Sequence, residues 1–387
     1  MDRYTQTEYT GYAENIGNSL KGILFGLLLL IASIVLLWWN EGRSVAQADA
    51  LEEMQEKIMP LPSAAYDAAS DGKAVLVQGK IEPISVVTDA QYGVSTDGLV
   101  LRRKVQMYQW RETSRSQSQD KLGGGTETVT TYEYSRVWSS VPIDSSRFKK
   151  PEGHENPQMN EQGAFFASDA QMGDFHLDRT MVERIGANRP LDLSTVTPRT
   201  EAFKSYGGFL YGGKDPAMPQ VGDLKISYTY APAGLYTVAA KQSGRALVPY
   251  VTQNGKQLAF FREGRVDAGT IFRQELESNA MLTWALRFVG LILMFSAFSL
   301  ILDPLRAIAK VIPFMGSLVS GANGIVAGVM TLLLGSLVIA LAWLSARPLL
   351  SVSIIAIGVA TAWGLGKFGA KKGKRLDASV SSETTKR

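Results

Sequence analysis

Enzymes need particular side chains at particular spacings, and in these 387 residues the inventory is short. There is no cysteine, which excludes disulfides and thiolate metal sites, and the two histidines, His154 and His176, stand too far apart in sequence to suggest a metal site. No metal and no cofactor are expected. The run Gly364-Leu365-Gly366-Lys367-Phe368-Gly369 spells G-x-G-x-x-G, but a dinucleotide fingerprint follows a strand and opens a helix, whereas this one closes an apolar segment. Glu82 and Asp89 are acids without diagnostic spacing, and general acid or base work needs geometry that spacing alone does not supply. No Walker A, His-Glu-x-x-His, Gly-x-Ser-x-Gly or EF-hand pattern occurs, so no catalytic residue is assigned.

The remaining chemistry is polar and sits where apolar runs end. Residues 22–39 form an uncharged stretch closed abruptly by Asn40, Glu41, Gly42 and Arg43. As a helix it covers about 27 Å, enough for the hydrocarbon core of a bilayer. Trp38 and Trp39 stand where amphipathic rings favour the headgroup border. Cleavage at Ala46-Gln47-Ala48 is disfavoured because charged residues separate it from the apolar run, so the segment reads as an uncleaved signal anchor. Asn40 and Glu41 can accept hydrogen bonds and Arg43 can donate them; Glu275, Glu277 and Asn279, ahead of the next apolar run, are the expected partners.

Three more apolar stretches follow. Residues 282–302 carry one charge, Arg287, one turn from Trp284; the simplest reading takes its guanidinium up to the headgroups, the alternative is a functional intramembrane charge. Asp303-Pro304 is expected to end that span, and 303–323 to form a connector, interfacial, re-entrant or continuing the next helix. Residues 324–344 and 349–366 complete four spans. Ser320, Gly324 and Gly328 fall four apart, so small residues line one face and allow close helix approach, within the bundle or between copies.

The net charge of +4 resolves into a slightly acidic stretch over 40–281 and a basic tail over 367–387, with Lys371, Lys372, Lys374 and Arg375 clustered. That asymmetry is a topology signal, not a nucleic-acid footprint. It places the tail and the 1–21 arm, read as polar and flexible, in the cytoplasm, and the 40–281 domain outside it, in the periplasm or lumen.

That domain switches to period two. Residues 74–79, 99–101, 104–110, 129–138, 174–177, 224–230, 235–240, 247–250 and 258–262 read as strands, and 44–58 as a juxtamembrane helix. Residues 113–128, rich in Ser, Gln and Gly, read as a long flexible loop, and Asn254-Gly255 as a two-residue hairpin turn. Tyr108 with Trp110, and Tyr132 with Trp138, are aromatic faces of a kind that is more often core than ligand site. The expected class is an α+β membrane protein: four transmembrane helices with a large β-rich extracytoplasmic domain between the first two.

Trp39-Asn40-Glu41-Gly42-Arg43, the run from Arg103 to Glu112 (RKVQMYQWRE), Pro219 to Leu224 (PQVGDL) and the run from Asn279 to Gly290 occur in an order that resembles the LUMA family of four-span membrane proteins, known in animals as transmembrane protein forty-three. The resemblance covers residues 38 to about 302 by motif and the last spans by hydropathy. It implies one span, a large lumenal or periplasmic domain and three further spans, and a role organising membrane protein complexes. It brings no catalytic residues. The expectation is a non-enzymatic scaffold in contact with lipid and other membrane proteins, with self-association open, seated in a bacterial cytoplasmic membrane or, in a eukaryote, the endoplasmic reticulum or nuclear envelope. The alternatives are an envelope-acting enzyme without a recognisable motif, or a channel or transporter.

Overall fold

The computed structural model describes residues 2–309, 313–343, 353, 356–361 and 363. Most of the fourth expected span, 349–366, and the basic tail, 367–387, lie outside the described residues. The chain divides into two compact units: a β-rich one made of Met1–Thr5, Asp49–Arg115 and Thr131–Leu276, and an apolar helical one made of Gln6–Ala48, Ser116–Thr130 and the chain from Glu277 onward.

The elements that matter are strand β1 (Asp2–Thr10), helix α1 (Tyr12–Lys57), β2 (Ala74–Pro83), β3 (Val100–Asp120), β4 (Thr126–Ser139), β5 (Leu224–Ala231), β6 (Gly234–Ser243), helix α2 (Ala268–Ala309) and helix α3 (Pro313–Trp343). All three helices are long and apolar enough to cross a membrane. In the β-rich unit, β2 and β6 pair antiparallel from Gly234 opposite Ile81 to Lys241 opposite Ala74. A second sheet runs in the order β1, β4, β3, β5, with β3 and β5 antiparallel from Leu224 opposite Met107 to Ala231 opposite Val100. Alternation along these strands turns Val75, Val77, Val238 and Ala240 into one core and Leu101, Val105, Ile226 and Tyr228 into another. A third core packs Ala50, Leu51 and Met54 of α1 with Ile271 and Phe272 of α2.

Four expectations are corrected. The arm over 1–21 is not flexible: Asp2–Thr10 is a strand and α1 starts at Tyr12, swallowing both the first apolar run and the juxtamembrane helix in one element. Asp2 lies 3.1 Å from His154 Nε2, and Arg3 pairs with Glu133. The loop over 113–128 is instead two long strands meeting at a turn, where Lys121 N donates to Gly125 O at 2.8 Å. Ser116 with Thr130 and Ser118 with Thr128, each 2.9 Å apart, make hydroxyl ladders across the hairpin, which is why a polar composition still forms a sheet. Asn254-Gly255 lies in a five-residue loop, because Val251 pairs with Gln257. Finally, Pro304 sits inside α2; a proline forfeits one backbone bond, but a helix packed in a bundle tolerates the loss.

Candidate functional site

Along α2, Asn279, Thr283 and Arg287 recur every four residues, so one face carries a polar stripe through an apolar helix. Along α1, Asn40 shares a face with Arg43 and Ser44, three and four residues on, with Glu41 beside them. In the helical unit these two stripes meet. Asn40 Nδ2 donates to the Thr283 carbonyl at 3.1 Å, and Asn279 Nδ2 donates to the Ser44 carbonyl at 2.9 Å. The Ser44 and Thr283 hydroxyls lie 2.8 Å apart. Arg43 donates from Nη1 to Asn279 Oδ1 and from Nη2 to Thr283 Oγ1, both at 3.0 Å.

One turn on, Glu41 has no exposed surface and takes a two-pronged bond from Arg287, Nε to Oε1 at 2.6 Å and Nη2 to Oε2 at 2.7 Å. The indole N–H of Trp343 in α3 also donates to Glu41. The Arg287 guanidinium stands 4.7 Å from the Trp284 ring centre and 5.8 Å from that of Trp343. A buried carboxylate is costly unless its lone pairs are filled, and here two guanidinium N–H groups and an indole fill them. Two ring faces then cover the cation. The arrangement locks three helices to one another through side chains alone.

The expected site residues therefore divide. Asn40, Glu41, Arg43, Trp284 and Arg287 are brought together. Arg287 is not held at the headgroups but paired, and Arg43 rests on Asn279 and Thr283, while Glu275 goes to Arg262 at 2.5 Å and Glu277 is exposed. Trp38 and Trp39 face outward from α1. A Cβ added at Gly324 or Gly328 would meet no described atom within 4 Å, so the small-residue stripe is not where α3 meets α1 or α2. Close approach occurs at Gly26, whose added Cβ would lie 2.9 Å from the Ala297 carbonyl, and at Gly290, 2.6 Å from Leu37. Trp343 had no signal in the sequence, because it reaches Glu41 only through tertiary packing.

In the β-rich unit, Tyr108 meets Trp138 at a tilt with ring centres 5.2 Å apart, and Trp110 meets the edge of His154 at 4.8 Å. Asp89 is buried and accepts from Arg103 Nη1 at 2.7 Å and Tyr228 Oη at 2.8 Å, whereas Glu82 pairs with Lys80 at the surface. Burial first, and then the bond to Asp89, push the Tyr228 hydroxyl well above its ordinary range. Burial and a bond to Glu112 push the Tyr134 hydroxyl up to about 12.

Comparison with known proteins bears on the whole chain. The family profile described as "Transmembrane protein 43" matches residues 107–348. The chain is 31% identical over 362 residues to "Transmembrane protein 43" of Rattus norvegicus and 31% identical over 364 residues to that of Homo sapiens, covering 90% of each chain in both cases. It is 29% identical over 344 residues to the "Transmembrane protein 43 homolog" of Drosophila melanogaster, covering 87% of this chain and 91% of that one. These relatives are animal proteins and give a bacterial periplasm no support. No solved structure matches.

Proposed function

Because the chain belongs to the transmembrane protein 43 family, we propose that it is a non-enzymatic integral membrane scaffold, one that organises membrane protein complexes through its β-rich unit. The observation that carries this reading is the polar lock of Glu41, Arg287 and Trp343 with Asn40, Arg43, Asn279 and Thr283, which spends charged and polar side chains on holding helices together. Further support comes from the two long helices: α1 carries the chain from the helical unit into the β-rich unit, and α2 carries it back, each without a break in helix.

In this reading 349–366 is a fourth span, and Arg306, Lys310 and the 367–387 tail keep their side cytoplasmic, which turns the β-rich unit toward a lumen or other extracytoplasmic space. Purification from native membranes after crosslinking, followed by mass spectrometry, tests the role. Recurrent membrane protein neighbours crosslinked through residues of the β-rich unit are expected. A chain recovered alone, as a monomer, would overturn the scaffold reading.

A further inference from the structure

The strand Phe260–Glu263 runs beside the first turns of α2, in the direction of the apolar span. Phe260 meets Phe272 edge-on with ring centres 5.9 Å apart. Two residues on, Arg262 donates from Nε to Gln274 at 3.2 Å and from Nη2 to Glu275 at 2.5 Å. Leu282, where the apolar run of α2 begins, follows Glu275 by seven residues, about 10 Å along the helix. Glu263 is one strand residue, about 3 Å, nearer. The headgroup layer is about 5 to 7 Å deep on each side of the hydrocarbon core, so this end of the β-rich unit stands at its surface.

At that end, within the β-rich unit, lies a cavity of about 410 Å³ whose lining includes Arg184, Arg189, Arg262, Glu263, Tyr230 and Tyr236. Small-molecule sites span about 300 to 1,000 Å³, so a headgroup-sized ligand has room. Arg189 pairs with Glu263, and Arg262 with Glu275, whereas the exposed Arg184 has no ion pair or side-chain hydrogen bond among the described residues. Three guanidinium groups against two carboxylates leave an excess of one positive charge, that of Arg184. A planar fork of N–H donors of this kind matches a phosphate.

The surface around the cavity names the source of that phosphate. Gly234 stands opposite Ile81 in the β2–β6 pair, and Tyr236 opposite Glu263, so the residues just past Ile81 and the start of β6 share the cavity's end of the sheet. There Leu235, Val86 and Ile84 are 41, 58 and 60% exposed. A soluble anion has no use for apolar side chains, but at the height of the headgroups they gain by burial against acyl chains. We infer that the cavity takes the phosphate of a phospholipid headgroup from the leaflet on the β-rich unit's side, with Arg184 as the free donor and Ile84, Val86 and Leu235 against the acyl region. Such a site needs α2 to cross the membrane and does not depend on the scaffold role.

Arginine modification by phenylglyoxal, mapped by mass spectrometry on the full chain in phosphate-free maltoside detergent, tests the site. Dihexanoyl phosphatidylglycerol should slow modification of Arg184 about fivefold, the effect of one basic side chain on an anionic headgroup. Inorganic phosphate at the same concentration, and dihexanoyl glycerol, which lacks the phosphate, should not slow it. Arg245, just past the far end of β6, should react alike throughout. Ile84→Ser with Val86→Ser, at exposed positions that leave the cavity intact, should raise the lipid concentration for half protection about tenfold. Equal protection by inorganic phosphate, or lipid protection that the double variant leaves unchanged, would assign the cavity to a free anion. Protection by dihexanoyl glycerol would make it an acyl groove, and Arg184 reacting at one rate in every condition would leave no site; each of these results overturns the inference.

Discussion

Glu41 and Arg287 are worth more as a pair than as individuals. Removing one partner of a buried ion pair leaves an uncompensated charge, which typically costs about 3 to 5 kcal/mol, whereas replacing both by apolar groups of similar volume is often neutral. Glu41→Leu alone should therefore be strongly destabilising, and Glu41→Leu with Arg287→Met should recover most of the loss; chemical unfolding in detergent, followed by tryptophan fluorescence, measures both. Arg43→Ala, which breaks bonds to neutral acceptors at a half-buried position, should cost about 1 to 2 kcal/mol. If the double variant were as damaged as Glu41→Leu, the pair would be doing more than neutralising itself. At this scale the sequence made the polar junction legible, since Asn40, Glu41 and Arg43 follow directly on an apolar run. It did not reveal the partners, because Arg287 in an apolar stretch is equally compatible with headgroups and with a carboxylate on another helix. The stripe of Asn279, Thr283 and Arg287 was the available signal.

Glycine spacing tells a similar story for the helices. Small residues at Ser320, Gly324 and Gly328 have the pattern of a packing face, yet a pattern states only that close approach is sterically allowed. The close approach is at Gly26 against the Ala297 carbonyl and at Gly290 against Leu37. Gly26→Val should push α1 off α2 and cost about 1 to 3 kcal/mol, since backbone cannot rotate away as a side chain can. Gly324→Val, with no described neighbour, should leave the stability of a monomer within about 0.5 kcal/mol of wild type. Parallel unfolding curves of the two variants decide between the faces, and a larger loss at Gly324 would place the helix contact there. Most strands and long helices were legible from period and apolar length. The outer part of the β3–β4 hairpin, residues 113–128, was not, because its Ser and Thr ladders have the composition of a loop, and neither was the passage of α2 through Pro304, which only packing permits.

At the scale of the whole molecule, the apolar runs, the β-rich middle and the family were all readable, whereas the strand formed by Asp2–Thr10 was not. In the helical unit Asn15 Nδ2 donates to the Gly124 carbonyl at 2.9 Å and to Thr126 Oγ1 at 3.0 Å, so the start of α1 holds the tip of the hairpin. Asn15 lies about 10 Å along the helix before Gly22, where the apolar run begins. Unpaired strand edges and polar faces such as those of 116–130 cannot face lipid, because backbone groups there find no water to bond with. If the contact holds in a membrane, the hairpin must be screened by protein or water, which calls for neighbouring chains and gives self-association a physical reason. A chain without cysteine makes the test clean: Asn15→Cys with Thr126→Cys, treated in native membranes with a short bismaleimide, should give an intramolecular crosslink found by mass spectrometry. Cysteines that instead react with an impermeant maleimide only from opposite faces, with no crosslink formed, would mean that the bilayer separates the arm from the hairpin and that the contact belongs to the chain outside lipid.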